Sequence, residues 1–544
     1  MAQRLVRAVR SGLVPVRGAP AAGTESRGTG GGDDDAVNVQ VNDPALDHIV
    51  TFDPAVVVTR PFEFSTQSET SAVRDGKHVV VGYNSSAGTT VQFFPGFGLA
   101  FTRVLLSGFS TSHDGGRTWS SGFVPPVSED APFTLGDPAL AIDRRGNVFY
   151  ASLGTDAVGR GALIINKSTD HGSTFGTATV VALDDGSDKE WLAIGPDPTA
   201  PSRDNIYVTW TSFVKGASQL WLARSTDGGL TFSSRKLFAP VDDGNNSSFI
   251  QFSNPVVDLS TGRLYLPFLH FSDIDADNVR VLVSDDGGST FRFLAFNVPG
   301  AFDAFAFPNV TPGLLNDCAG GGIRNALVAG TDQGGGRFGL PRFRQATRLI
   351  SQPHAVAARG AFAFVLNTST SPFFGDPGAG SEINLVLSRD GGRSWAPTFR
   401  VAGSTAADRQ HVHPAISMAP DAKKLTVSYY VQQADARLRT DVATLQVNGA
   451  RVRLKSTAPL STTAFDLTPS NVVRTPTATT NYDRTIVSCY DIGEYQTLAR
   501  SKNDDDGVFA AWGDNRRTWT SPPTSPAAGT HSQPDVFSTT VDDD

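Results

Sequence analysis

From residue 37 onward the chain alternates between short apolar runs and polar punctuation. Runs of β-branched and aromatic residues such as HVVVGYNS, NVFYASLG, NIYVTWTSF, RLYLPFLHF, AFAFVLNTS, KLTVSYYVQQ and VFAAWGDNR recur between clusters of Gly, Asp, Asn and Pro. No window of about 11 residues holds the period of about 3.6 that an amphipathic helix needs. The pattern predicts a chain of short strands joined by tight turns, nearly all β. Residues 1 to about 36 differ: GAPAAGTESRGTGGGDDD has Gly, Ser and a run of Asp without apolar period, and reads as a tail or export segment outside the fold.

The strands fall into a repeat. Five segments share Ser-x-Asp-x-Gly-x-Thr/Ser-aromatic: SHDGGRTW at 112–119, STDHGSTF at 168–175, STDGGLTF at 225–232, SDDGGSTF at 284–291 and SRDGGRSW at 388–395. Their aspartates, 114, 170, 227, 286 and 390, are spaced by 56, 57, 59 and 104 residues. The last interval is one repeat plus an insertion, which places extra chain at about 298–350. Each box has the chemistry of a hairpin turn. The Asp accepts backbone N–H groups of its own turn, Gly supplies a positive φ, and the Thr and aromatic start the returning strand. The box aspartates are therefore expected at turns, away from any chemistry.

A second series completes the unit. SETSAV at 68–73, DPALAID at 137–143, KEWLAIG at 189–195, NPVVD at 254–258, QPHAVAA at 352–358, HPAISM at 413–418 and GEYQTLA at 493–499 each set polar residues before a strand of small apolar residues. A longer strand follows each, and a third leads into a box or its equivalent. This is a four-stranded antiparallel blade with the small-residue strand innermost, and radial repetition of such blades is a β-propeller. The count favours seven blades, with six plus an extra sheet as the alternative. The last segment offers only three strands, so VNVQVND at 37–43 is expected to supply its fourth and close the ring. Residues 37–544 are then one propeller with an insertion.

Composition narrows the partners. The net charge is −8, without a concentrated basic face, which argues against nucleic acid. No run of about 18 apolar residues is present. Cys318 and Cys489 are the only cysteines, too few for a disulfide scaffold or a cysteine-rich zinc site. They can form at most one bridge, tying the insertion across the ring, or remain two thiols. The insertion itself is expected on the same mouth as the polar strand starts, as a candidate lid. Oligomeric state is not legible.

The repeated box resembles the Asp-box (BNR repeat) of the sialidase-like propellers, over about residues 60–540. The resemblance implies a secreted or extracytoplasmic, glycan-active protein. One form of it is an exo-acting glycoside hydrolase of the exo-α-sialidase type, with a tyrosine nucleophile, a carboxylate partner and an arginine clamp for the substrate carboxylate. Tyr495 in GEYQTLA matches the tyrosine position, with Glu494 or Glu190 as its partner, and Arg484 and Arg516 are clamp candidates. Where the family carries Arg-Ile-Pro at the first blade, this chain reads QSETSAV, with Glu69 in that place. Arg324 and Arg342 of the insertion can supply cationic character instead. The superfamily also contains non-catalytic propellers, so binding of carbohydrate or protein is the alternative function.

The residues themselves point to one mouth of the central channel. Glu69, Asp137, Lys189, Glu190, Asn254, Gln352, His411, His413 and Glu494 all stand at the starts of inner strands, where blades converge. Paired carboxylates among Glu69, Asp137 and Glu190 suit acid/base hydrolysis or a lyase, and an acidic funnel with His411 and His413 suits sugar hydroxyls or a cationic group. No cofactor is required. Asp273, Asp275 and Asp277 alternate in SDIDADN, a spacing that can wrap Ca2+, without the Gly and distal Glu of an EF-hand loop.

Overall fold

The computed structural model describes residues 25–27, 38–46, 50–51, 67–94, 98–214, 217–240, 249–271, 278–295, 305–306, 352–370, 380–404, 409–433, 435, 437–465, 492–501, 507–521 and 529–542. Among these the chain is all β, with a single 3-10 turn at Pro44–Leu46 and no α-helix. The strands form consecutive antiparallel meanders. Four strands each lie within Gln67–Phe123, Phe133–Leu183, Ser187–Phe238, His354–Gly403 and His411–Pro459. The first two of these are joined by a parallel contact, Val104 opposite Phe133. In a further meander, Phe249–Gln251 and Val256–Val257 both pair with Leu264–Phe271, which continues to Asn278–Ser284 and Arg292–Phe293. The last meander runs Thr497–Ala499, Val508–Ser521 and Gly529–Val541, and its fourth strand is Val39–Gln40 from the other end of the chain.

Every small-residue segment of the second series forms the first strand of its meander or leads directly into it. These strands pack on one another in chain order. Gln67–Asp75 contacts Phe133–Ile142, which contacts Ser187–Asp197, and so on through Val256–Val257, His354–Ala358, His411–Met418 and Thr497–Ala499, which returns to Gln67–Asp75. Burial explains the choice of residues. The second strand Val148–Thr155 is buried at all eight positions, because faces of adjacent meanders cover both its sides. Phe149, Leu163 and Ile165 of one meander meet Leu192, Val208 and Trp210 of the next. Across the join of first and last, Val79, Val81 and Trp119 meet Phe509, Ala511, Val536 and Val41. The outermost strands are exposed and polar, as in RVRLKSTAP at Arg451–Pro459, a composition that blunts a sheet edge.

The five boxes lie between third and fourth strands and have one geometry. The Ser hydroxyl donates to Asp Oδ1 at 2.7–2.9 Å and accepts the N–H of the Gly two residues after the Asp at 2.7–3.0 Å. The Thr or Ser that follows donates its hydroxyl to Oδ2 at 2.6 Å in all five. Because successive strands are antiparallel, these turns sit at the end opposite to the starts of the inner strands. Within the stretch read from composition as a tail, Glu25–Arg27 pairs with Thr118–Ser120.

Candidate functional site

The starts of the inner strands share an unusual backbone. Five of the eight non-glycine residues with positive φ among the described residues are Glu69, Asp137, Lys189, Phe252 and His413, at 49–58°. At four of them the pairing register breaks across the residue, between Ser68 and Ser71, Gly136 and Ala139, Asp188 and Trp191, and Val412 and Ala415. These are β-bulges, which re-aim a side chain at the end of a ladder. A left-handed L-residue costs about 1–2 kcal/mol, so strain is gathered where the meanders converge. In the last meander the matching position is Gly493, φ 86°.

The bulges bring four charged residues from four meanders together. Lys189 Nζ lies 3.2 Å from Glu69 Oε1, 3.2 Å from Asp137 Oδ2 and 2.6 Å from Glu494 Oε2. The contact to Glu494 is a charge pair rather than an aligned hydrogen bond. Burial alone would lower the Lys189 pKa, but Asp137, Glu494 and Glu69 outweigh it and hold the ammonium well above its ordinary value. Glu69 also accepts from Asn84 Nδ2 at 2.8 Å and from the Glu494 amide at 3.3 Å. Asn84 Oδ1 takes the Asp137 amide at 2.7 Å, so one amide side chain ties two bulges.

Glu190 stands apart. It is 1% exposed, and neither carboxyl oxygen has a hydrogen-bond partner among the described residues. Burial, reinforced by the charge of Asp137, pushes its pKa well above the usual carboxyl range, which favours its protonated form. Tyr495 is buried beside it, and its hydroxyl donates to Pro138 O at 3.1 Å. Burial and then Glu69, Asp137 and Glu190 hold that phenol protonated far above its ordinary pKa. Trp191 meets Tyr495 edge-on at 5.0 Å and His354 at 5.4 Å, touching two other meanders. His354 lies 3.1 Å from Gln352 Nε2, which in turn donates to Glu494 O at 3.1 Å. Burial lowers the pKa of His354 to about 4.

The structure thus groups Glu69, Asp137, Lys189, Glu190, Glu494 and Tyr495 in one cluster. Tyr495 donates to a backbone carbonyl rather than to either candidate glutamate, and Glu494 faces Lys189. His413 belongs to the same ring of bulges, its main-chain O accepting from Gln496 Nε2 at 2.8 Å. His411 is held through its backbone by Ser381, and burial lowers its pKa to about 4. Arg516 is committed elsewhere: it binds Asp514, donates to Asn38 Oδ1 at 2.7 Å and covers the Phe537 ring. Asn254 accepts the Ala355 amide at 2.8 Å. Arg324, Arg342, Arg484, Asp273, Asp275, Asp277, Cys318, Cys489 and nearly all of the 298–350 insertion lie outside the described residues. Among the described residues no group of three or more His, Cys, Asp or Glu is arranged to hold a metal.

Three members escape a sequence reading. Asn84 follows the apolar run VVVGY within the strand His78–Phe94, and that polar break is its only signal. Trp191 stands in KEWLAIG where the other inner strands keep small residues, and His354 follows Gln352-Pro353.

No protein-family profile matches the chain, and no curated protein does. Among solved structures, a Dyadobacter fermentans protein of unknown function is 13% identical, covering 75% of this chain and 95% of its own, with a TM-score of 0.38. An α-L-arabinofuranosidase from Fusarium graminearum is 12% identical over 77% of this chain and 96% of its own, at 0.40. A sialidase from Trypanosoma rangeli is 9% identical over 93% of this chain, which spans only 59% of that protein, at 0.36.

Proposed function

We propose that the chain is a closed seven-bladed propeller acting on glycans, a glycoside hydrolase whose proton donor is Glu190 and whose ionised partner is Asp137. The carrying observation is the buried Glu190 carboxyl, with both oxygens unpartnered among the described residues, next to a carboxylate held by Lys189. Breaking a glycosidic bond requires a proton on the leaving oxygen and negative charge near the developing oxocarbenium ion. A neutral acid and an ionised carboxylate kept distinct by their surroundings supply that pair. The proton passes from Glu190 to the glycosidic oxygen. Asp137 then either takes a proton from the attacking water or bonds the anomeric carbon. The ring count and its closure rest on the cyclic packing of inner strands and on the Val39–Gln40 pairing.

Screening the full chain against fluorogenic neutral glycosides and sialosides tests the activity. Glu190→Gln is expected to lower kcat by about 10²–10⁴-fold, the worth of a positioned general acid. Tyr495→Phe separates this reading from the exo-sialidase form with a tyrosine nucleophile. It leaves turnover within a few fold if carboxylates carry the chemistry, and abolishes it if Tyr495 does.

A second reading, a non-catalytic carbohydrate- or protein-binding propeller, is favoured by the way Lys189 already satisfies Glu69, Asp137 and Glu494. Turnover of no glycoside, together with measurable binding, decides for it.

A further inference from the structure

We propose that His78, His113 and Ser173 form a proton-sensitive clasp between the first two meanders, at the box end of the molecule, and that it opens when His113 takes a second proton. The clasp goes beyond the glycan-active reading and does not depend on it. His78 begins the strand His78–Phe94 of the first meander, His113 precedes the Asp of the first box, and His171 and Ser173 flank Gly172 of the second. The three imidazoles meet there. His78 stacks on His171 with ring centres 4.4 Å apart and meets His113 edge-on at 5.0 Å. A Cβ on Gly172 would stand 2.1 Å from Val80 Cγ2, so the second box is seated on the strand that His78 begins.

Hydrogen-bond directions fix where the protons lie. The one hydroxyl hydrogen of Ser173 goes to Asp170 O at 2.8 Å. Toward His113 Nε2, 3.0 Å away, Ser173 Oγ therefore accepts, and Nε2 carries the hydrogen. Neutral His113 then has a bare Nδ1, which takes the hydrogen of His78 Nδ1 at 2.8 Å. The bonds run from His78 through His113 and Ser173 to the main chain of the second box. A proton on His113 Nδ1 turns that acceptor into a donor facing another donor, and the contact with His78 breaks. Burial, then His171, His113 and Lys77, lower the pKa of His78 against the pull of Asp75, so charge is also disfavoured on the donor ring. Of the other charged groups on these elements, Asp114, Asp170 and Asp143 accept amides of their own turns, Arg144 pairs with Asp204 and Arg74 donates to Gly76 O. Arg117, Arg145 and Arg500 bring further positive charge, and the last of these adjoins Ser501, whose hydroxyl takes the Gly76 amide.

Imidazoles change charge between about pH 5 and 8, and those two pH values bracket the switch. The test is hydrogen exchange by mass spectrometry on the full chain at both, with rates corrected for the intrinsic effect of pH. Protection of 75–80 and 169–175 is expected to fall about tenfold or more at the acid end, while the histidine-free boxes at 225–232 and 284–291 keep theirs. His113 is exposed, so its substitution leaves the core intact. His113→Gln cannot take the second proton and is expected to lose the difference between the two conditions. His113→Lys carries a fixed charge and is expected to be open at both. Unchanged protection of 75–80 and 169–175 at pH 5 overturns the clasp, and so does a fall shared by the two histidine-free boxes, which is general loosening. A fall that persists in His113→Gln, or full protection of His113→Lys at pH 8, overturns it as well. No arm of the experiment reads turnover or sugar binding, so failure here leaves the glycan-active reading standing.

Discussion

Lys189 decides the state of the central carboxylates. Taking charges out of water is costly, and the cluster is tolerable because one ammonium faces three carboxylates at 2.6–3.2 Å. Replacing Lys189 with Met leaves Glu69, Asp137 and Glu494 buried against one another. The expected loss is about 3–5 kcal/mol, the range for breaking a buried pair, read from urea denaturation at pH 7. A loss under about 1 kcal/mol would mean that the side chains open to water, and the cluster would cease to be a buried one. The neighbouring Glu190 has no such compensation, and its orphaned oxygens are what make it a candidate for chemistry rather than for stability.

At the level of the element, a bulge at the start of an inner strand turns a ladder residue into a residue of the central ring. Gly493 serves the close approach that this needs. A Cβ there would stand 2.3 Å from the Glu69 amide nitrogen and 2.5 Å from Glu69 Cγ, at a φ of 86°. Gly493→Ala is therefore expected to destabilise by more than the 1–2 kcal/mol of left-handed strain alone and to displace Glu69. Thermal denaturation gives the first effect and the pH–rate profile the second; an unchanged melting temperature would refute the close contact. The box turns are the opposite case. Their hydrogen bonds lie within eight residues of sequence, and all five close in the same way despite His171 standing in the left-handed slot that Gly fills in the other four.

For the whole molecule, the N-terminal Val39–Gln40 is the fourth strand of the last meander. Val41 donates to Val536 O at 2.8 Å, and Asn42 exchanges two bonds of 2.8 Å with Asp535 and Val536. Removing residues 1–43 should lower the melting temperature and expose the Gly529–Val541 edge to association, detectable by light scattering; a truncated chain as stable as the parent would refute a closing role. Acid should loosen the fold for a separate reason. His354 and His411 are neutral in the fold, with pKa values lowered from 6.5 to about 4. The unfolded chain binds protons there first, so their contribution is intact above pH 6.5 and is lost as pH falls toward 4. Asp286 and Asp390, held at about 2 by their turn hydrogen bonds, add a loss below about pH 4. Urea midpoints measured from pH 7 to 4 should fall, and His354→Gln should flatten that slope.

What the sequence determined is what short-range chemistry fixes. A Ser, an Asp and two residues of positive φ close a turn whatever surrounds them, and strand alternation follows from burial on one or both faces. The boxes, the small-residue inner strands and the use of Val39–Gln40 as a fourth strand were legible for that reason, as was the gathering of polar residues at the inner-strand starts. The tertiary structure alone decided their states. Glu69, Lys189 and Glu494 are separated by 120 and 305 residues along the chain, so nothing local says that one ammonium faces three carboxylates. Nor does anything local say that the Tyr495 phenol is spent on Pro138 O or that the Glu190 carboxyl has no hydrogen-bond partner among the described residues. Pairing and desolvation are properties of the converged ring, and they set which of these side chains can still exchange a proton.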